Sequence, residues 1–580
     1  MGRTPGVRSV AFLGLLGLAA ALLVTWRLGA VLPGVPNRHA FTYDASRRAM
    51  VNVDAADALH RGDIGRVLWD VAGPEQWPTL RLLGAAPAHL LAGPARALEV
   101  ELGVSVASVG LLVLALVLSA GLLAPRPIDA PAMAVVACPL LLGNRDLLEH
   151  GANGMLEVPE AIFTLGATVA WIRARQTGQE RPWSLAVLGN CLFHVKFQHG
   201  LFLAAAVLAL EVSGPGWRMR LHAVASALRR GMRTPWGATV LVLGLGATVL
   251  ALGVVSGGGA HGTVLGHAVS LGRPRVVRWT AAAAAFGFVS LAFATERGRL
   301  REVLPARLRF AWAWVLTPMA LWLLLPFTWR LETLVASTTY DAALGQLGLL
   351  ERLGYYVRAA WTGWFPPGAR WIALALLGGT AAAARVAPRV RAQLAPIGTV
   401  LGLELLLLTF LAGRNFQPRF SLNLAPLVAL AATLWIPVVP RPGLRLGLAG
   451  VTAAALAVLV LPGWRAPALA ATLARGFESQ DKGDVCRGIA RALPFSEGEL
   501  VNETHPSWLQ LCNLWVKLLA RERGDRVLVR ERWAGPALHR VLLLVDGTQP
   551  PGDRTGWRPL GPERRIGTVR GQLFEVEAPR

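Results

Sequence analysis

The chain has 580 residues, 54% hydrophobic and 16% charged, with a mean hydropathy of +0.46 and a net charge of +23. Soluble proteins average about 25% charged residues, so a soluble fold is excluded and a polytopic membrane protein is expected. Nucleic-acid binding is excluded as well, because the arginines fall in short clusters between apolar runs and line no basic face of a soluble domain.

The first apolar segment, VAFLGLLGLAAALLVTW after MGRTPGVR, exceeds the apolar core of a secretory signal and shows no clear cleavage site, which predicts an uncleaved first helix. Thirteen spans follow from runs long enough to cross a hydrocarbon core: roughly 9–31, 103–124, 131–143, 156–172, 183–194, 198–212, 236–256, 278–295, 309–328, 370–384, 396–412, 421–438 and 446–462. Three are short, so the expectation is an all-α bundle of about 11–13 transmembrane helices. Basic loops assign the inside. RMRLHAVASALRRGMR carries Arg218, Arg220, Arg229, Arg230 and Arg233 without an acid, and RARQTGQER, ERGRLREVLPARLR and RVAPRVR are of the same kind. The N-terminus is therefore expected in the cytoplasm, with the long loops 32–102 and 329–369 outside. Odd parity places the tail outside too.

Residues 463–580 are a different material. GDVCRGIARAL and SWLQLCNLWVKLLARER have helical apolar spacing, and DRVLVRER and HRVLLLVDG read as strands. The expectation is a transmembrane domain over 1–462 and a small C-terminal α/β extracytoplasmic domain over 463–580. Cys486 and Cys512 lie there and could pair outside the cell, although two cysteines alone establish nothing. Cys138 and Cys191 read as small core residues. GVVSGGGAHGTVLGHA lacks the Lys-Ser/Thr ending of a phosphate loop and reads as a flexible outer loop, and NET at 502–504 matters only where glycosylation machinery exists.

Several ionisable residues fall near membrane edges. Asp44 in FTYDASRRAM sits beyond the apolar core, where a charge costs little, and reads either as a loop acid paired with Arg47 or Arg48 or as a functional group. In GNRDLLEHGANGMLEV, Glu157 opens an apolar run where an unpaired carboxylate is expensive. It is a candidate site acid or acceptor ligand, or else a structural partner of Arg145, and Glu160 shares its helix face. Lys196 lies between His194 and His199 in an apolar helix pair, which suits either a phosphate or a snorkelling interface cluster. Glu149 and His150 are the one hint of a divalent metal; one histidine and scattered acids specify none, so no metal ligand and no cofactor is assigned.

The order of these features resembles the GT-C superfamily of integral-membrane glycosyltransferases, including bacterial relatives of protein mannosyltransferases and aminoarabinose transferases. Tyr43-Asp44, Leu59-His60-Arg61-Gly62-Asp63 and Trp77-Pro78 resemble the first outer loop. NGMLEVPEAIFTLGATVAWIRAR, GNCLFHVKFQHGLFLAAAVLAL, LERLGYYVRAAW and GRNFQPRFSLNLAPLVALAA resemble later segments, with Phe420 where the family has tyrosine. The likeness covers roughly residues 10–440. It implies transfer of a sugar from a polyprenyl-phosphate donor to a cell-envelope glycan, lipid or protein acceptor, outside a bacterial inner membrane. Asp44 would be the general base, with Asp54 and Asp57 as fallbacks, and Glu157 a second site acid. Lys196, Arg414 and Arg419 would hold the donor phosphate. Tyr43, Asp146, Glu160, Tyr355 and Tyr356 are candidate acceptor ligands. Ala45 departs from the pattern, since many members carry a second acid there. Two rivals stay open: a transporter or flippase for a lipid-linked substrate, which predicts broken helices near the midplane, and a non-catalytic family member, favoured by Ala45.

Overall fold

The computed structural model describes residues 7–580 except 66, 69–78, 94–95, 215, 257–260, 265–266, 271–273, 326–329, 332–347, 412–417, 493–497, 502–508, 523–526, 531–538, 547–556, 560–561, 567–568 and 577–580. Trp77-Pro78, Arg414 and the NET sequon lie outside the described residues.

Among the described residues, the thirteen expected spans are helical except for a turn at 432–435 within 421–438. In chain order, α1 is Val7–Val31, α2 Tyr43–His60, α3 Thr79–Ala92, α4 Ala97–Leu123, α5 Asp129–Leu142, α6 Arg145–Gly151, α7 Glu157–Thr177, α8 Trp183–Val195 and α9 Phe197–Val212. Then come α10 Trp217–Arg233, α11 Pro235–Ser256, α12 Pro274–Thr295 and α13 Arg297–Val303. A helical run follows through α14 Ala306–Ala311, a π turn at Trp312–Leu316 and α15 Thr317–Leu323. The bundle closes with α16 Leu349–Gly363, α17 Pro367–Val386, α18 Pro388–Leu411, a 3-10 turn at Pro418–Leu424, α19 Ala425–Ala431 and α20 Pro442–Val460. Among the described residues, seven helices are individually long and apolar enough to cross a membrane, and nine if two bent pairs each count as one. The protein is a multi-pass membrane protein. One correction concerns the glycine-rich stretch: His261–Val264 and His267–Ser270 form a short antiparallel hairpin, β1 and β2, where a flexible loop was expected.

The long helices alternate in direction, so their ends define two faces. At one face, Arg389 and Gln393 at the start of α18 donate to the carbonyl of Leu123 at the end of α4. Asp129 at the start of α5 pairs with Arg445 of α20, both fully buried. Glu211 at the end of α9 meets Arg175 of α7 and Arg307 of α14. The opposite face carries α2 and α3, the loop around α6, the start of α7 and the 3-10 turn at Pro418–Leu424. Here Glu101, buried in the first turns of α4, accepts from Asn52 of α2 at 2.6 Å and contacts His89 of α3 at 2.8 Å, which seats the first long loop on the bundle.

The C-terminal region covers this second face. Helices α21 (Ala466–Ala474), α22 (Gln480–Ala492) and α23 (Leu509–Glu522) pack over the first loop. Asn37 donates to the carbonyls of Ala474 and Glu478 at 2.9 and 2.8 Å, Phe41 stacks on Phe477, and the Glu478 amide donates to Ala40. Asn153 donates to the Gly476 carbonyl at 2.6 Å; a Cβ on Gly476 would lie 2.1 Å from the Glu149 carbonyl oxygen, so only glycine admits this approach. A disulfide between Cys486 and Cys512 ties α22 to α23. Beyond them lies a mixed sheet of β3 (Gly498–Val501), β4 (Val527–Arg530), β5 (His539–Asp546), β6 (Trp557–Pro559), β7 (Arg564–Ile566) and β8 (Val569–Val576). The order is β4-β3-β5-β8-β6, with β7 also on β8. Strand β3 is parallel to β4 and β5, and β8 is antiparallel to its partners. Both expected helices and both expected strands are present.

Candidate active site

Asp44 is the second residue of α2, in a first turn where exposed amide groups favour an acid. Its carboxylate, with 39% of the side chain exposed, accepts from Arg419 at 2.9 Å and lies 3.9 Å from Arg48 one turn on. Burial pushes its pKa up, but Arg48 and Arg419 outweigh that and hold the group below the usual carboxylate range. The Met155 sulfur touches Thr42, Arg48 and Arg419 at 3.5–3.6 Å, so loop, helix and turn converge on one soft atom.

From Asp44 an unbroken chain of charges runs into the bundle. Arg419 reaches Glu157 at 3.6 Å, and Glu157 lies 3.9 Å from Lys196. Lys196 donates to Glu160 at 3.0 Å, and Glu160 meets His199 at 2.8 Å. The same ring nitrogen, Nδ1, makes a short contact with Glu404 of α18, so that nitrogen carries the proton shared between two carboxylates. Asn423 closes the chain by donating to Glu404 at 2.6 Å and Thr164 at 3.3 Å. Glu157, Glu160, Lys196, His199, Glu404 and Asn423 are all buried.

The local folding explains the convergence. Glu157 and Glu160 occupy the first turn of α7, again at a helix N-terminus. Lys196 interrupts α8 and α9 with an extended backbone, φ −157 and ψ 107, which breaks one apolar segment into a tight pair. A Cβ on Gly200 would fall 2.4 Å from the Cα of Phe193, so the pair closes only around glycine. Arg419 and Asn423 lie four residues apart on the 3-10 turn, one reaching outward to Asp44 and the other inward to Glu404. Glu404 lies seven residues before the end of α18, about 10 Å along a helix axis. Isolated charges at that depth are costly; here four carboxylates face three permanent cations and a histidine, and the chain is near neutral.

The remaining candidates fall in several places. Tyr356 is buried against Phe202 and Leu408, with Tyr355 and Phe420 packed on the same cluster. Phe420 also receives the Lys196 ammonium at 4.7 Å from its ring, so the tyrosine pair adjoins the chain of charges. Tyr43 begins α2 beside Asp44. Asp54, ten residues beyond Asp44 on α2, does not join them: it pairs with Lys517 of α23. Asp146 sits on α6 apart from the chain, where burial and then Glu149 push its pKa up to about 6. Glu157 pairs with Lys196 and Arg419, and the Arg145 alternative is not realised. His194 leaves the expected Lys196–His199 group and packs its ring on Trp322. Glu149 pairs with Arg475 at 3.1 Å, which removes it from any metal set with His150.

Sequence reasoning missed Glu404 and Asn423. Glu404 is the lone acid of IGTVLGLELLLLTFLAG, and an acid inside an apolar span was signal enough. Arg330 is buried with its guanidinium 3.9 Å from the Trp322 ring. Glu160, His199 and Glu404 could together offer ligands to a cation, since their ligand atoms lie within 4.8 Å of one another. The Lys196 ammonium already supplies positive charge to that set. A groove of about 300 Å³ on the same face, lined by Arg145, Leu459, Trp464 and Arg475 among others, contains none of the charged chain.

No protein-family model matches the sequence, and no curated protein matches it. Among solved structures, ArnT from Cupriavidus metallidurans in the apo state is similar at 12% identity and a TM-score of 0.49, covering 98% of this chain and 99% of that one. The same protein bound to undecaprenyl phosphate is similar at 12% identity and a TM-score of 0.47, covering 96% and 97%.

Proposed function

We propose that this protein is a membrane glycosyltransferase that moves a sugar from a polyprenyl-phosphate donor to a cell-envelope acceptor on the extracytoplasmic face, with Asp44 as general base. One observation carries this reading. Asp44, ionised and half-buried at the mouth of the loop face, shares Arg419 with a buried carboxylate-and-lysine chain, so a carboxylate suited to take a proton lies beside cations suited to a phosphate.

The chemistry follows from that juxtaposition. In the resting protein Arg419 and Arg48 are engaged by Asp44. An arriving donor brings a phosphodiester whose oxygens compete for the same guanidinium groups, which match phosphate bidentately. As they turn to the phosphate, Asp44 loses the charges that depress its pKa and becomes a stronger base. The acceptor hydroxyl attacks the anomeric carbon, and its proton passes to the Asp44 carboxylate. The bond from the anomeric carbon to the phosphate oxygen breaks, and the polyprenyl phosphate leaves with the added negative charge, held by Arg419, Arg48 and Lys196. Glu157 Oε2 is buried without a hydrogen-bond partner among the described residues, and suits an acceptor hydroxyl. Glu160, His199 and Glu404 keep Lys196 placed.

Asp44→Asn tests the reading in reconstituted membranes with a polyprenyl-phosphate sugar. Loss of a general base costs about 10²–10⁴ in rate, while donor binding and folding persist. Full turnover by that variant removes Asp44 from the role. One observation favours a transporter as second reading: α5 and α6 meet at 72° across a short break, as a broken span or a re-entrant loop, and broken helices are used at transport sites. Substrate movement across sealed vesicles with no new glycosidic bond would establish it.

A further inference from the structure

The face opposite the candidate site carries an element that the transfer chemistry leaves unused. Helix α10, WRMRLHAVASALRRGMR, bends 114° away from α9 and leads directly into the span α11. A helix so turned lies across the bundle's end and does not continue through it.

Its surface divides lengthwise into three stripes. Ala227 and Gly231 form the buried stripe; Gly231 packs against Ala292 near the end of α12, and Arg230 on its margin pairs with Glu296 at 2.9 Å. Trp217, Leu221, Leu228 and Met232, at offsets of 0, 4, 11 and 15, line a second face. Trp217, Leu221 and Met232 each expose nearly half their surface, 46–48%. Arg218, His222, Arg229 and Arg233 form the third stripe, next to the apolar one. No acid occurs between Trp217 and Thr234, and among the described residues Arg218, Arg229 and Arg233 make no ion pair. Trp236, the second residue of α11, is 73% exposed and marks the level where that span leaves the interface.

We infer that α10 is an interfacial helix that binds the anionic phospholipid surface of one leaflet, sinking its Trp217–Met232 stripe among the acyl chains and holding lipid phosphates with Arg218, Arg229 and Arg233. A water-facing helix would gain nothing from three large exposed apolar groups in line, and a protein-covered one would bury three arginines that make no ion pair among the described residues, Arg218 having only the Trp217 ring at 5.5 Å. An apolar stripe flanked by a cationic one fits the boundary of a negatively charged bilayer. The site sits at the far end of the bundle from Asp44, so the inference stands or falls independently of the transferase reading.

Two measurements on the full chain in vesicles of phosphatidylglycerol and phosphatidylcholine test it. In a Cys138→Ala, Cys191→Ala background, a nitroxide at Leu221→Cys is expected to be open to oxygen and shielded from a nickel chelate, whereas one at Arg299→Cys on the exposed part of α13 is open to nickel. Equal nickel access at both positions overturns the proposal. Lipid retained after detergent extraction is then compared by mass spectrometry. Arg218→Gln, Arg229→Gln and Arg233→Gln together are expected to lower the preference for phosphatidylglycerol by about fivefold per arginine. The matched triple Arg297→Gln, Arg299→Gln and Arg301→Gln is expected to change it little. An unchanged preference in the α10 variant, or an equal loss in both triples, overturns it.

Discussion

Arg419→Gln is the perturbation that probes the candidate site most directly, because this side chain joins an exposed acid to a buried one. Toward Asp44 the loss is small: that carboxylate is 39% exposed, and exposed pairs contribute about 0–1 kcal/mol. Toward Glu157 it is large. Glu157 is 2% exposed and would keep only Lys196 at 3.9 Å, itself engaged more closely by Glu160 at 3.0 Å. Removing one partner of a buried pair costs about 3–5 kcal/mol. With an unfolding entropy of about 2.1 cal/mol/K per residue over 580 residues, 4 kcal/mol lowers the melting temperature by about 3 °C. Thermal unfolding in detergent, followed by circular dichroism, reads this shift. Arg48→Gln, which removes a 3.9 Å contact with Asp44 and a 3.5 Å contact with the Met155 sulfur, should move it by less than about 1 °C. Adding Glu157→Gln to Arg419→Gln should restore much of the loss, with a coupling of about 0.5–3 kcal/mol. An Arg419→Gln melt no lower than that of Arg48→Gln, or a double variant that is simply additive, refutes the reasoning.

Other consequences follow from the same geometry. The pKa of Asp44 is held below its ordinary 3.8 by Arg48 and Arg419 against the opposing effect of burial; its stabilisation is therefore complete above pH 3.8 and fades as pH falls through the lowered folded value, so acid titration of wild type against Asp44→Asn should converge only below pH 3.8. Asp146 shifts the other way, to about 6: wild type loses stability as pH rises from 3.8 to 6, and Asp146→Asn should raise stability at neutral pH by on the order of 2 kcal/mol while matching wild type below pH 3.8. Gly476→Ala places a Cβ 2.1 Å from the Glu149 carbonyl oxygen, so limited proteolysis of α21–α23 should be faster in that variant, with the bundle itself unaffected.

Much of the fold was legible because hydropathy is a local property. Among the described residues the thirteen apolar segments are helical apart from a turn at 432–435. The site was legible in parts. Asp44, Glu157, Glu160 and Lys196 stood out as charge near an apolar boundary and Arg419 through the family resemblance, and they meet in one chain. Their pairing was not legible, since Arg419 reaches Asp44 across 375 residues of sequence. Asp54 shows the same limit from the other side: nothing near it in sequence announces Lys517. Glu404 could have been found from its apolar surroundings, whereas Asn423, an ordinary amide on a short turn, acquires meaning only from what it touches.

The clasp between Asn37–Phe41 and Ala474–Glu478 has a consequence for biosynthesis. The stretch that carries Asp44 emerges early from the ribosome, and its support is made last. A chain halted before residue 478 would have inserted nearly every span yet lack the brace for its first loop.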